Sequence, residues 1–62
     1  MNRRTATVYN TNSQGTQVIF NGETTPTTKR YMRLEGYSPA VNDRVLMEYI
    51  SGTWVILGKV VY

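Results

Sequence analysis

The chain contains no cysteine and no histidine. The first absence excludes a disulfide framework, and a cysteine-free chain is indifferent to the redox state of its compartment. The two absences together leave Glu23, Glu35, Asp43 and Glu48 as the carboxylate ligands for a metal, and they are scattered along the sequence. A structural metal site is therefore not expected. There is no Gly-rich phosphate loop, and no nucleophile has a histidine to serve as its base. General acid–base work would require folding to bring two of those carboxylates together. The chain is expected not to be an enzyme and to carry no cofactor.

Long apolar runs are also missing. The longest is Trp54–Leu57, far short of the roughly 20 residues needed to span a bilayer. Met1–Arg4 has a positive start, but Thr5-Ala6-Thr7-Val8 is not the apolar stretch of a signal peptide. Charge is modest too. Seven Lys or Arg against four Asp or Glu give +3, well below a polybasic nucleic-acid arm. A soluble, intracellular domain with no membrane contact is the expectation.

The 62 residues allow one domain, 1–62. A domain this small buries only about 60% of the surface of its unfolded chain, so it depends on a disulfide, a metal or a partner subunit. With the first two excluded or not expected, a partner subunit is the staple that remains.

Thr, Val and Tyr are frequent, and no stretch sustains a 3.6-residue period, so the composition favours strands. The first spans 3–11, with Ala6 and Val8 inward, and ends at the turn Asn12-Ser13-Gln14-Gly15, where Gly15 is free to take positive φ. The second spans 16–21, with Val18 and Phe20 on one side. Glu23–Thr28 is a polar loop in which Pro26 bars regular pairing. Residues 29–35 alternate, with Lys29, Tyr31 and Arg33 on one face and Arg30, Met32 and Leu34 on the other.

A connector over 36–42 leaves room for at most a single helical turn near Pro39–Asn42. In it Asn42 suits the left-handed region, and Asp43 can bond back to neighbouring amides. Strands 43–50 and 53–61 then close the chain as a hairpin at Ser51-Gly52. Five short strands at this spacing suggest an all-β fold, a small five-stranded barrel of the OB or SH3-like kind.

The closing hairpin is apolar on both faces. A two-residue loop sets Tyr49 opposite Trp54, Met47 opposite Ile56 and Val45 opposite Gly58. One face then holds Val45, Met47, Tyr49, Trp54, Ile56 and Val60 and fills the interior. The other holds Leu46, Ile50, Val55, Leu57 and Val61, with Arg44, Glu48 and Lys59 among them. Burying one such side chain is worth roughly 1.5–3 kcal/mol, so leaving five wet forfeits an amount comparable to a small domain's net stability. Strong curvature would let the chain cover part of this face itself. A subunit interface is the reading adopted, with a second copy of the chain as the partner.

A second candidate surface is Lys29-Arg30-Tyr31-Met32-Arg33. In an OB-fold, cations on such a strand track phosphates while a ring stacks on a base, and Phe20 and Tyr37 could extend the platform. The alternative function is therefore single-stranded nucleic-acid binding through Lys29, Arg30, Tyr31, Arg33 and Tyr37. The same residues also suit an ordinary solvated face or a guarded edge strand, and nucleic acid is the less favoured partner.

Two runs carry a family resemblance: Tyr37-Ser38-Pro39-Ala40-Val41-Asn42-Asp43-Arg44-Val45-Leu46, and Ser51-Gly52-Thr53-Trp54-Val55-Ile56-Leu57-Gly58-Lys59-Val60. They resemble a pattern of small β-barrel proteins encoded among the tail genes of phages and prophages of Gram-positive bacteria such as Bacillus. That pattern reads approximately Y-x-P-x-x-G-D-R-V-L, then G-T-[aromatic]-V-[VI]-L-G-[KR]-[VI]. Asn42 stands where the pattern has Gly, and it tolerates the same backbone region. The resemblance implies a barrel that associates into rings, a hexamer in some members. The implied role is tail or baseplate assembly, as an assembly chaperone or a minor structural component. Other tail proteins are the implied partners, and the host cytoplasm during assembly or the virion tail the implied location. It supplies no catalytic residue.

Overall fold

The computed structural model describes residues 3–61, and among them there is no helix. The strands are β1 (Arg3–Asn12), β2 (Gly15–Phe20), β3 (Met32–Arg33), β4 (Arg44–Ile50) and β5 (Thr53–Lys59). They form one mixed sheet in the order β2-β1-β4-β5-β3. All neighbours are antiparallel except β3 and β5. The bounds follow the sequence expectation closely for β1, β2 and β4. The third strand is much shorter than 29–35, and β5 ends at Lys59.

The shortening has a specific cause. Tyr31 bridges to Thr16 of β2, whereas Met32 and Arg33 pair with Val55 and Ile56 of β5. One short segment thus serves two neighbours and cannot run a long ladder with either. Upstream, Arg30 Nη1 donates to Asn10 Oδ1 and to the Gly15 carbonyl, both at 3.2 Å. The sheet is not closed, because β2 and β3 share no ladder beyond that bridge. Farther along the β2 edge, Thr27 donates its amide to the Val18 carbonyl at 2.9 Å, and Gln17 Nε2 reaches the Thr27 carbonyl at 2.9 Å. The polar loop therefore covers an edge that would otherwise present unpaired main-chain groups.

The β4–β5 turn takes the form its residues suggest. Ser51 and Gly52 have φ of 52° and 84°, and two positive φ values match the right-handed twist of the flanking strands. Ile50 faces Thr53, Tyr49 faces Trp54 and Met47 faces Ile56. Beyond that point the register slips, so Leu46 faces Gly58 and Val45 faces Lys59, whereas uninterrupted alternation puts Val45 opposite Gly58. Leu57 is the extra residue of a β-bulge.

The connector before β4 contains a turn in place of a helix. Asn42 has φ of 76°, the Asp43 amide donates to the Ala40 carbonyl at 3.0 Å, and the Asn42 amide donates to the Val8 carbonyl at 2.9 Å.

The core is one layer of inward-facing side chains: Ala6, Val8, Val18, Phe20, Tyr31, Val45, Met47 and Ile56. The alternation of β1, β2 and β4 delivers most of them, since inward residues recur at every second position. Trp54 packs against this cluster while half-buried, and Tyr49 is 44% exposed at the hairpin tip. The tip carries both rings past the buried layer, so the expected inner face is fully inside only at Val45, Met47 and Ile56. Val60 is half-buried.

Candidate interaction surfaces

Sheet register defines the outer face. Residues directly opposite one another share a face, so Arg3, Glu48, Val55 and Met32 form one row across β1, β4, β5 and β3. Thr5 and Leu46 start the next row, and the bulge leaves Leu57 beside Gly58, which offers no side chain opposite Leu46. Leu34 follows Met32 by two residues and lies on the same side. Ile50 extends the face toward the hairpin tip.

Leu46, Val55 and Leu57 are half-buried, whereas Ile50, Leu34 and Met32 are 41%, 47% and 77% exposed. Four of the five expected residues thus lie on one face of β4–β5. Val61, 79% exposed, lies beyond the end of β5. Met32 and Leu34 join the face because β3 runs beside β5. Alternation already sets these two residues opposite Tyr31, but the parallel pairing that puts them next to Val55 has no local signature.

The basic segment is arranged differently from the expected stacking platform. Tyr31 is 9% exposed, and its ring meets Phe20 in a T-shaped contact with centroids 6.1 Å apart. Phe20 is itself 5% exposed. Pairing with Thr16 points Tyr31 inward, so neither ring is presented for stacking. Lys29 is exposed, and Arg30 is held by the β1–β2 hairpin. Arg33 Nη1 donates to the Tyr37 carbonyl at 2.9 Å. The aromatic surface that does emerge is at the other end. There Arg4 lies 4.3 Å over the Phe20 ring, Trp54 stands 5.4 Å from Phe20, and Tyr49 stands 5.4 Å from Trp54.

Among the described residues, three of the four carboxylate side chains have basic partners: Glu48 with Arg3 at 3.6 Å, Glu23 with Arg4 at 3.4 Å and Asp43 with Lys59 at 3.4 Å. Asp43 also fastens the connector, its Oδ2 accepting from Tyr37 Oη at 2.8 Å and from the Ala40 amide at 3.2 Å. Burial, with the hydrogen bond to Asp43 and its negative charge, pushes the Tyr37 hydroxyl up to about 12. The Tyr37 hydrogen bond leads the effects that hold the Asp43 carboxyl below its ordinary value. The Ala40 amide and Lys59 reinforce it against an opposing desolvation.

An open cleft of about 470 Å³ lies between the β1–β2 hairpin tip and the 31–33 segment, with Glu35 at its rim. Its inner end is the Thr16–Tyr31 bridge. Gly15 sits at this junction with φ of 131°, and a Cβ there would lie 3.0 Å from Arg30 Cβ and 3.1 Å from the Tyr31 carbonyl oxygen.

Among known proteins, no family model, no curated protein and no solved structure matches this chain. Among the described residues there is no helix long and apolar enough to cross a membrane.

Proposed function

We propose that this chain is a self-associating, non-enzymatic interaction module folded as a partly open five-stranded barrel of the OB type. In this reading it serves phage tail or baseplate assembly. Support for the barrel comes from the Thr16–Tyr31 bridge, which brings the two outermost strands of the sheet into contact. Support for self-association comes from one observation above all. The outer face of β3–β5–β4 gathers Met32, Leu34, Leu46, Ile50, Val55 and Leu57 on a chain without disulfides.

A ring buries such a face against a different surface of the next copy, and it closes when the rotation between copies fits. A hexamer is the proposed ring, and other tail proteins are the proposed further partners. The phage-tail assignment draws on the resemblance of the two C-terminal runs. Asn42 at φ 76° is consistent with it, since that is a conformation in which glycine is at home.

Burial of Tyr31 and Phe20 favours this reading over single-stranded nucleic-acid binding, which needs exposed rings beside the cations. Light scattering at micromolar concentration tests the proposal. A ring gives a multiple of 7.1 kDa, six times for a hexamer, and a monomer gives 7.1 kDa itself.

A further inference from the structure

The seam between β2 and β3 opens at one end, and what faces the opening is main chain. Thr16 and Tyr31 exchange both hydrogen bonds of a narrow antiparallel pair, at 3.0 and 2.8 Å. Continuing that register by two residues sets Arg33 opposite Gln14. Gln14 already belongs to the hairpin turn, and its amide donates to Asn12 Oδ1 at 2.8 Å. The next pair is therefore never made, and the cleft occupies its place.

Register on the other side of β3 fixes where the Arg33 groups point. The Leu34 amide donates to the Ile56 carbonyl at 3.0 Å, and Arg33 is the residue paired with Ile56. In a parallel ladder Ile56 then bonds the residues flanking Arg33, and Arg33 directs its own amide and carbonyl to the opposite edge. That edge is the one on which Tyr31 meets Thr16. That register leaves both main-chain groups of Arg33 outside the β5 ladder, and among the described residues no turn or loop main-chain bond reaches them. The donor and acceptor are thus aligned as one rung of an antiparallel ladder, at the mouth of an open cleft.

We propose that this cleft accepts an extended segment of another protein chain, which adds to β3 by exchanging main-chain hydrogen bonds with Arg33. Strand addition of this kind takes its affinity from the main chain and its preference from alternate side chains. The hairpin wall offers Ser13 and Thr11, the latter with its hydroxyl 3.0 Å from that of the buried Thr16, which suits small hydroxyl or β-branched residues on the incoming strand. Ring burial argues against a nucleic-acid strand here. Tyr31, the one aromatic residue of the lining, is 9% exposed and offers no face for a base to stack on. The site shares Met32 with the apolar face, but the Arg33 main-chain edge points away from β5 and does not depend on self-association.

The test uses the full chain, labelled with ¹⁵N, and the capped peptide acetyl-Thr-Val-Thr-Val-Thr-amide. Its counterparts are the same peptide N-methylated at alternate amides along either edge, and a hexathymidylate. The expected result is a set of shifts centred on the Arg33 amide and on residues 13–16, with several-fold slower exchange of the Arg33 N–H. Methylation along the bonding edge should abolish the response. Arg33→Pro should remain folded, because the amide it loses has no partner among the described residues, and should lose the response, whereas Arg33→Ala should keep it.

Equal shifts from all the methylated peptides, no shift from the parent peptide, or shifts from hexathymidylate alone would each overturn the proposal. An Arg33→Pro chain that folds and keeps the full response would overturn it too.

Discussion

Thr16 and Tyr31 exchange main-chain hydrogen bonds of 3.0 and 2.8 Å, and through this pair the outermost strands of the sheet meet. The pair closes over Gly15, where the main chain of one strand approaches that of the other too closely for a side chain. The same contact sends Tyr31 into the core and leaves the Arg33 main chain facing the cleft.

Gly15→Ala should therefore cost more than an ordinary loop substitution. It combines a φ of 131° with two contacts near 3 Å, one of them to main chain that is fixed by the seam. A destabilisation on the order of 1–3 kcal/mol is expected from strained backbone of this kind. Urea denaturation measures it, and faster exchange of the Tyr31 amide should accompany it. An unchanged midpoint would show that the seam yields freely.

Tyr31→Ala is expected to act on stability and not on nucleic-acid affinity. Removing a large ring from a core typically costs about 3–5 kcal/mol, and this ring also loses its edge contact with Phe20. Denaturation together with a binding titration against single-stranded DNA separates the two roles. Submicromolar binding at physiological salt that disappears in a folded Tyr31→Ala chain would reinstate the stacking platform.

The clasp between Tyr37 and Asp43 predicts pH dependence at both extremes. The Tyr37 hydroxyl is raised from 10.0 to about 12, so its contribution is fully present below pH 10 and is lost as pH rises through about 12. The Asp43 carboxyl is lowered from 3.8, so its contribution is present above that value and is lost as pH falls through the lower folded value. Wild type should lose stability between pH 10 and 12 by a component missing from Tyr37→Phe. Asp43→Asn should lack the corresponding component on the acid side. Parallel stability curves for wild type and Tyr37→Phe across the alkaline range would contradict the clasp.

Local chemistry made much of this fold legible. Ser51-Gly52 encodes its turn, Asn42 its left-handed backbone, and Ala6, Val8, Val18 and Phe20 their inward side through simple alternation. Three features were not legible, each for a physical reason. Leu57 becomes a bulge residue, and alternation within one strand is blind to an unpaired residue. Tyr31 goes into the core because Thr16 captures its main chain, whereas its sequence neighbours are the cations of an exposed strand. Met32 and Leu34 join the apolar face through parallel pairing with β5, a contact between distant parts of the chain. The hairpin residues of the candidate face could be read from the sequence, and its β3 residues could not.

The measurement that bears most directly on self-association is the solution mass of wild type beside two sets of charged variants. Met32→Glu, at a position 77% exposed, and Leu46→Glu on the same face should fold and run as monomers of about 7.1 kDa. Burying an unpaired carboxylate at an interface is costly, but leaving it in water is not. Val45→Glu and Met47→Glu, at positions 0% exposed, should unfold the chain itself, as circular dichroism would show. Wild type should sediment at a multiple of 7.1 kDa at micromolar concentration. A wild type that is a stable monomer, or a folded Met32→Glu and Leu46→Glu pair that both keep the wild-type mass, would contradict the account.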